Sequence, residues 1–467
     1  MIADSISDKD TLEGNLRADG FLPPRISMLL ICAAYVAAFV LVYKWVIVPV
    51  WGYEGFRYNT TPAHAVTAWV LAALPSLWMP IKLTRPSQVV YWLLYILVLV
   101  PVCLVPIYSL DDQSRGPLIL AACLVGVFGL AGLVYCVPLL PLRRLYLESY
   151  ELSVVLALLS IGCFSLMLAS FGFHFHFISF EDTYTVRAQF KDTLNQVSSL
   201  VAYAINWQAW VINPFVMAIG LRSRRPSWVL AGAAGQFAIY SIGAFRSIFF
   251  SAAFLFYLLW VTRSTRTFGI RLAGTWVAIF TGAGALQFFG YGLIPEQLVG
   301  ERMTALPGLL TGYYYEFFSS HPLVHLGHSI FRSFVTYPYA LEPPSLIGYS
   351  YFHNASENAN ANVWADAYAN FGYPGIIGFT LLLAIVLWLY DSVAANCDIR
   401  LAVLVFAMPA FALTNVGLLT SVLTNGMGLA MLLVYLAPST TDEGSRDSAL
   451  EDVSVRRRNF RWKPSMS

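Results

Sequence analysis

The sequence predicts an all-α, polytopic integral membrane protein, and three observations carry that reading. Hydrophobic residues fill 58% of the 467 positions and charged residues only 12%, where a soluble domain carries about 25% charge. Mean hydropathy is +0.64. Apolar runs of about 18 residues or more, long enough to cross the hydrocarbon core as helix, recur along the chain. A water-soluble enzyme of this length is thereby excluded. The formal charge of +2 is too small to point to nucleic acid. Aromatic residues make up 15%, with 26 Tyr and 13 Trp, which suits interfacial belts and sugar-facing surfaces equally.

Twelve spans are predicted, at 27–50, 63–80, 89–108, 117–140, 151–171, 197–220, 227–243, 247–262, 272–290, 373–390, 401–417 and 422–437. They make residues 27–437 one transmembrane domain. Residues 1–26 are polar, and no cleavage site flanks the first apolar run, so that run reads as a retained signal anchor. Lysine and arginine set the orientation. Connections 81–87, 141–150, 221–226, 263–271 and 391–400 hold eleven: Lys82, Arg85, Arg143, Arg144, Arg222, Arg224, Arg225, Arg263, Arg266, Arg271 and Arg400. The alternate short connections hold five: Arg57, Arg115, Arg187, Lys191 and Arg246. Both termini are therefore expected in the cytoplasm, as an even span count requires. The tail, 438–467, carries Arg456, Arg457, Arg458, Arg461 and Lys463 and is expected to be disordered.

Two outer segments exceed mere connectors, at 172–196 and 291–372. The second is too long to be structureless and is expected to be partly helical. Ser319–Phe334 reads as an amphipathic helix along the membrane surface, with Pro322 in its first turn. No internal repeat or inverted pair of broken spans is visible, which disfavours the common transporter architectures. Of the six cysteines, five lie in apolar runs and Cys397 in a short polar connection. No outer segment holds one, so neither disulfides nor zinc ribbons are expected.

The candidate chemistry lies in the outer segments. Arg246, in Ser241-Ile242-Gly243-Ala244-Phe245-Arg246, stands at a tight hairpin between two spans. It is either an interfacial arginine reaching headgroups or a guanidinium placed to grip a lipid-linked phosphate bidentately. Arg187 and Lys191 are four apart and share a helix face, either as a solvated turn or as a second anion-binding patch. Arg302 and Arg332 complete the outer set. Each has nearby carboxylates as alternative partners (Glu301, Glu316 or Glu342), and together these cations suit a pyrophosphate. His321, His325 and His328, at spacings of four and three, would share a helical face and could hold a metal, or could simply sit beside interfacial aromatics. His174 and His176 alternate with Phe in Phe173-His174-Phe175-His176-Phe177 and read as an interface rim. The stretch from Phe352 to Gly375 holds His353, Glu357, Asn358, Asn360, Asn362, Trp364, Asp366, Tyr368 and Asn370. Amide and acid side chains bind sugar hydroxyls, aromatic faces stack on sugar rings, and His353 or Glu357 suits a general base. Asn360, Trp364 and Tyr368 would share one helix face. The alternative is a capped helix entering the membrane, with the asparagines as turn residues and the aromatics as a belt.

These features resemble the Wzy-type oligosaccharide repeat-unit polymerases of bacteria, relatives of the O-antigen ligases. The topological likeness covers most of the chain. The motif likeness rests on Arg246, on Gly300-Glu301-Arg302 through Pro307-Gly308 to Phe317-Phe318 and Pro322, and on Asn360 through Gly372 with Gly375 and Gly378. The resemblance implies a GT-C-like membrane glycosyltransferase working without a nucleotide sugar, metal or other cofactor. It would move a growing glycan from undecaprenyl pyrophosphate onto the sugar of an incoming lipid-linked repeat unit, with its active site on the periplasmic face of the bacterial inner membrane. Its partners would be those donor and acceptor glycolipids, membrane lipids and a chain-length regulator, with no nucleic acid. Arg246 and Arg302 would stabilise the leaving pyrophosphate, while Arg187, Lys191 or Arg332 would hold the second substrate. His353 or Glu357 would take the acceptor proton. One departure matters. O-antigen ligases carry a histidine about ten residues before the first glycine of the Gly-x-x-Gly entry to the span, where a base can act. Here that position is Asn362, and His353 lies nineteen residues before Gly372. This favours polymerase over ligase and leaves displacement without a strong base open. A transporter or flippase of lipid-linked glycan would instead predict charged or broken segments near mid-membrane, and a histidine-dependent acyltransferase a buried mid-span His. Away from the span ends the sequence offers only Lys44 and a few Asn, and the one histidine within a span, His64, sits at the outer edge of the second.

Overall fold

A computed structural model describes residues 23–110, 115–143, 145–179, 182–329, 331–355 and 357–438. The charged tail and most of the N-terminal segment lie outside the described residues, as does Arg144. The described chain is all-helical, with no strand, and reads as a membrane-embedded bundle. Its helices are α1 (Pro24–Glu54), α2 (Pro62–Leu77), α3 (Gln88–Ser109), α4 (Gly116–Cys136), α5 (Ser149–Phe171), α6 (Thr183–Gln196), α7 (199–222), α8 (Pro226–Gly243), α9 (Ser251–Val261) and α10 (Phe268–Phe288). After them come α11 (294–320), α12 (Pro343–Phe352), α13 (Val363–Val393), α14 (Ile399–Ala412) and α15 (Leu418–Leu436). Among the described residues seven helices, α1, α3, α4, α5, α10, α13 and α15, are long and apolar enough to cross a membrane. The shorter apolar helices α2, α9 and α14 fall on further predicted spans. So do α7 and α8, which carry buried amides.

Those amides bond to one another. Gln208 Nε2 donates to Asn213 Oδ1 at 2.6 Å, Asn213 Nδ2 to Gln236 Oε1 at 3.2 Å, and Gln236 Nε2 to Ser251 Oγ at 2.8 Å. All four residues are buried, so α7, α8 and α9 are joined by polar contacts that lipid tails cannot replace. Close approach of α7 and α8 is possible because α8 presents Gly232 and Gly235, where a Cβ would meet Met217 and Asn213 of α7.

The centre of the bundle is α3, buried along its whole length. Tyr35 of α1 donates to Ile96 O at 2.7 Å, Trp69 of α2 donates to the Tyr108 hydroxyl at 2.6 Å, and Phe128 of α4 stacks on Tyr91 at 4.0 Å. On another side α11 packs so tightly that a Cβ at Gly308 would lie 2.7 Å from Pro101 O. Four stretches relax to π-helical turns: Tyr43–Ile47 in α1, Tyr95–Leu99 in α3, Gln208–Ile212 in α7 and Gln297–Ala305 in α11. Such turns often mark functional positions.

The long outer segment differs from expectation in detail. It holds α11 and α12, but the helix expected over Ser319–Phe334 does not form among the described residues beyond Ser320. Helix α11 ends there, and His321 is extended (φ −124°, ψ 158°) ahead of Pro322, as the residue before a proline prefers. Residues 325–329 and 331–334 run in turns, with His325 and Leu326 at φ +51° and +57°. The cause lies in α13, which starts at Val363, ten residues earlier than predicted. It breaks at Phe371 and Gly372 (φ +62°), just before Pro374. A proline lacks the N–H that would close the ladder. The freed carbonyls are taken by the turn: Val324 N donates to Ala369 O at 3.0 Å and His325 N to Asn370 O at 3.2 Å. Leu326 N donates to the Asn370 side chain at 2.8 Å. The segment 321–326 plugs a broken helix and therefore cannot be one. The outer segment 172–196 likewise divides into an extended piece and α6.

Candidate functional site

The hairpin after α8 closes tightly. Ala244 takes a left-handed conformation (φ +52°), its N–H bonds to Tyr240 O, and Arg246 opens a single turn, Arg246–Phe249, that leads into α9. Helix α6 lies across it. Phe190 stacks on Phe171 at 5.2 Å and meets Phe245 edge-on at 5.3 Å. This anchoring brings Arg187 over the hairpin. Its Nη2 donates to Ala244 O at 3.2 Å, and its guanidinium carbon is 5.6 Å from the centre of the Phe245 ring. Arg187 and Arg246 are both half-buried, and both are close enough to act electrostatically on the Tyr240 hydroxyl. Lys191, one turn further along α6, is exposed. The structure thus groups Arg187, Lys191 and Arg246.

Beside them runs the extended segment after α5. Ser241 Oγ donates to His176 O at 2.8 Å and accepts from His176 N at 3.2 Å, while Tyr240 donates to Ile178 O. A cleft of about 420 Å³ results, lined by Ser170, His174, His176, Gln189, Thr193 and Ser241 together with Phe171, Phe190, Val186 and Ile242. Phe173, Phe175 and Phe177 are exposed, as are His174 and His176 between them. The cleft itself mixes polar side chains with the rings of Phe171 and Phe190.

Arg302 lies elsewhere, on the π-helical turn of α11. Its Nε is 3.0 Å from Glu301 Oε2 and its Nη2 3.8 Å from Glu54 Oε1. The carboxylate alternative raised for this arginine is the arrangement found, and Glu54 of α1 is a partner that no spacing in the sequence announces. Trp51 Nε1 donates to Glu296 Oε2 at 2.7 Å in the same cluster. Arg332, exposed, lines a separate polar cleft of about 580 Å³ with His328, Ser333, Thr336, Tyr337, Tyr339 and Glu342. Burial pushes the His328 imidazole below its ordinary pKa, opposed by Glu342.

The three histidines expected on one face are dispersed. His321 stacks on Phe317 at 4.1 Å, His325 packs near Phe371 and His328 beside Tyr337. No described group of three or more His, Cys, Asp or Glu could hold a metal ion. The asparagine-rich stretch is also rearranged. His353 is the exposed left-handed cap of α12 (φ +56°), and Glu357 and Asn360 are exposed on the connection that follows. Asn360 precedes α13, so it does not share a helix face with Trp364 and Tyr368. Asn362 is the cap itself: its Oδ1 accepts from Trp364 N and Ala365 N, while its Nδ2 donates to Thr311 Oγ1 at 2.7 Å. Trp364 is 1% exposed and donates to Thr380 Oγ1, and Tyr368 is buried against Tyr315 and Tyr373. Asp366 accepts from Asn370 Nδ2 at 3.3 Å. Asn362 caps the entry of α13, as the capped-helix alternative had it, but Trp364 and Tyr368 are buried in the bundle rather than set in an interfacial belt, and a buried ring offers no face to a sugar. Comparison with family models, with curated proteins and with solved structures finds no match to this chain.

Proposed function

We propose that the chain is a membrane glycosyltransferase that polymerises undecaprenyl-pyrophosphate-linked repeat units into O-antigen or a related polysaccharide. Twelve crossings in a GT-C-like arrangement and a periplasmic site are part of this proposal. The observation that supports it most is the position of Arg187 and Arg246 at a hairpin, with Lys191 one turn along α6, next to a cleft that mixes polar side chains with phenylalanine rings. A lipid-linked pyrophosphate needs that combination: cations for the phosphates and apolar surface for the polyprenyl chain. In the reaction the acceptor hydroxyl oxygen bonds to the anomeric carbon of the donor glycan as the bond to the pyrophosphate oxygen breaks. The hydroxyl proton leaves to a base, His353 or Glu357, both exposed before α13. The pyrophosphate departs ionised, so cationic stabilisation counts for more than proton donation. Arg246 and Arg187 take that role. Arg302, already held by two carboxylates, contributes less charge than its sequence context implies. Arg332 in its own cleft would hold the second glycan.

A silver-stained gel of surface glycolipid from a strain lacking this chain, beside its complemented parent, tests the reading. Core bearing a single repeat unit with the ladder lost supports polymerisation, and bare core with lipid-linked polymer behind it means ligation. A transport reading draws support from the break in α13 and from the buried carboxylates of α11. It predicts bare core with unpolymerised repeat units retained on the cytoplasmic side. Because the charge is carried by arginine, polymer synthesis in isolated membranes is expected to persist in EDTA. Loss of synthesis with recovery on adding a divalent ion would overturn that.

A further inference from the structure

Two carboxyl groups, Glu54 of α1 and Glu301 of α11, meet the Arg302 guanidinium, and a third, Glu296 of α11, is bonded to Trp51 of α1 nearby. Glu296 and Glu301 are each 0% exposed. Trp51 serves one oxygen of Glu296, and the other accepts no hydrogen bond. Glu301 pairs with Arg302 through Oε2, while its Oε1 accepts none. Glu54 and Glu301 share the one guanidinium, Glu54 Oε1 lying 3.8 Å from Arg302 Nη2 and Glu301 Oε2 3.0 Å from its Nε. One cation thus faces two carboxyl groups, with a third, Glu296, enclosed nearby and bonded to a neutral indole. A buried carboxylate lacking its own counter-charge takes up a proton rather than stay ionised.

We propose that Glu54, Glu296 and Glu301 form a proton-binding site, in which Glu54 and Glu301 hold one proton between them beside Arg302 and Glu296 is protonated beside Trp51. Burial pushes Glu301 well above the ordinary carboxylate range, and it pushes Glu296 up to about 7 while the Trp51 bond pulls it down. The other groups acting on the cluster are Arg302, the Glu357 carboxylate and the Tyr53 hydroxyl. Loss of both protons would leave three negative charges around one arginine and drive the π-helical turn of α11 away from the outer end of α1. The site thus makes the α1–α11 junction sensitive to the pH of the solution bathing that end. It stands independently of whether the chain transfers or transports glycan.

The test is infrared titration of the purified full-length chain in lipid nanodiscs, following the protonated-carboxyl C=O stretch. At neutral pH the wild type is expected to show that band, which disappears on alkalinisation. Glu301→Gln and Glu296→Gln should each remove part of it. If either variant does not fold, carboxyl-¹³C-glutamate labelling of the wild type gives the same reading, because only glutamate bands shift and aspartates stay in place. A glutamate band absent at neutral pH, or one unchanged in both variants, overturns the proposal.

Discussion

Replacing Arg246 with alanine is expected to lower polymer formation by a hundredfold or more, the order found when a preorganised donor to developing negative charge is removed. The chain itself should remain inserted and abundant. The hairpin is closed by the Ala244 N–H on Tyr240 O and by the packing of Phe245 on Phe190, and none of these contacts uses the Arg246 side chain. Arg246→Lys keeps the charge but not the planar fork and should restore only part of the activity. Glycolipid gels read beside immunoblots of chain abundance check both variants. A normal ladder in the alanine variant removes Arg246 from the mechanism. Arg187→Ala is a less clean probe, because it also deletes the bond to Ala244 O.

The second large effect is on stability against pH. Glu296 is held at about 7 against an ordinary value of 4.5, so between those values the folded chain keeps a proton that the unfolded chain has released. Stability from this group is therefore complete below about pH 4.5 and declines as pH rises to about 7, by on the order of 3 kcal/mol. Glu301, raised in the same direction, extends the decline towards alkaline pH. Thermal unfolding of the detergent-solubilised full-length chain should show a midpoint falling through neutral pH, and Glu296→Gln should flatten that fall. A midpoint that rises across this window would mean the cluster is ionised when folded.

Much of the fold was legible because membrane helices announce themselves by composition. The runs at α1, α3, α4 and α5 needed only length and apolarity, and the Arg246 hairpin followed from two spans with almost nothing between them. Less legible was whatever depends on distant partners. The turn at 321–335 has helical spacing in its histidines, yet its N–H groups are claimed by the broken end of α13. The Asn362 cap and the buried Trp364 look like a sugar-binding face until the packing is known, since Asn360 falls before the helix and the face carrying Trp364 and Tyr368 turns into the bundle. Glu54 and Glu296 were missed altogether. Each lies at the margin of an apolar run, where a carboxylate ordinarily meets water, and only the packing of α11 against α1 encloses them. Arg187 was legible as a cation but not as the partner of Ala244.

The burial of α3 on every side bears on how the chain is made. Its apolarity lets it enter the bilayer as soon as it is synthesised, and α1, α2 and α4 can join it early. Two later neighbours, α11 and α14, begin at residues 294 and 399, so for most of translation one flank of α3 faces lipid. That flank includes Pro101 and Pro106, against which Gly308 and Gly312 later close. Biogenesis therefore has a late committed step, the docking of α11. A nascent chain halted before it would be inserted yet incomplete, with the bundle's central helix open to membrane quality-control proteases.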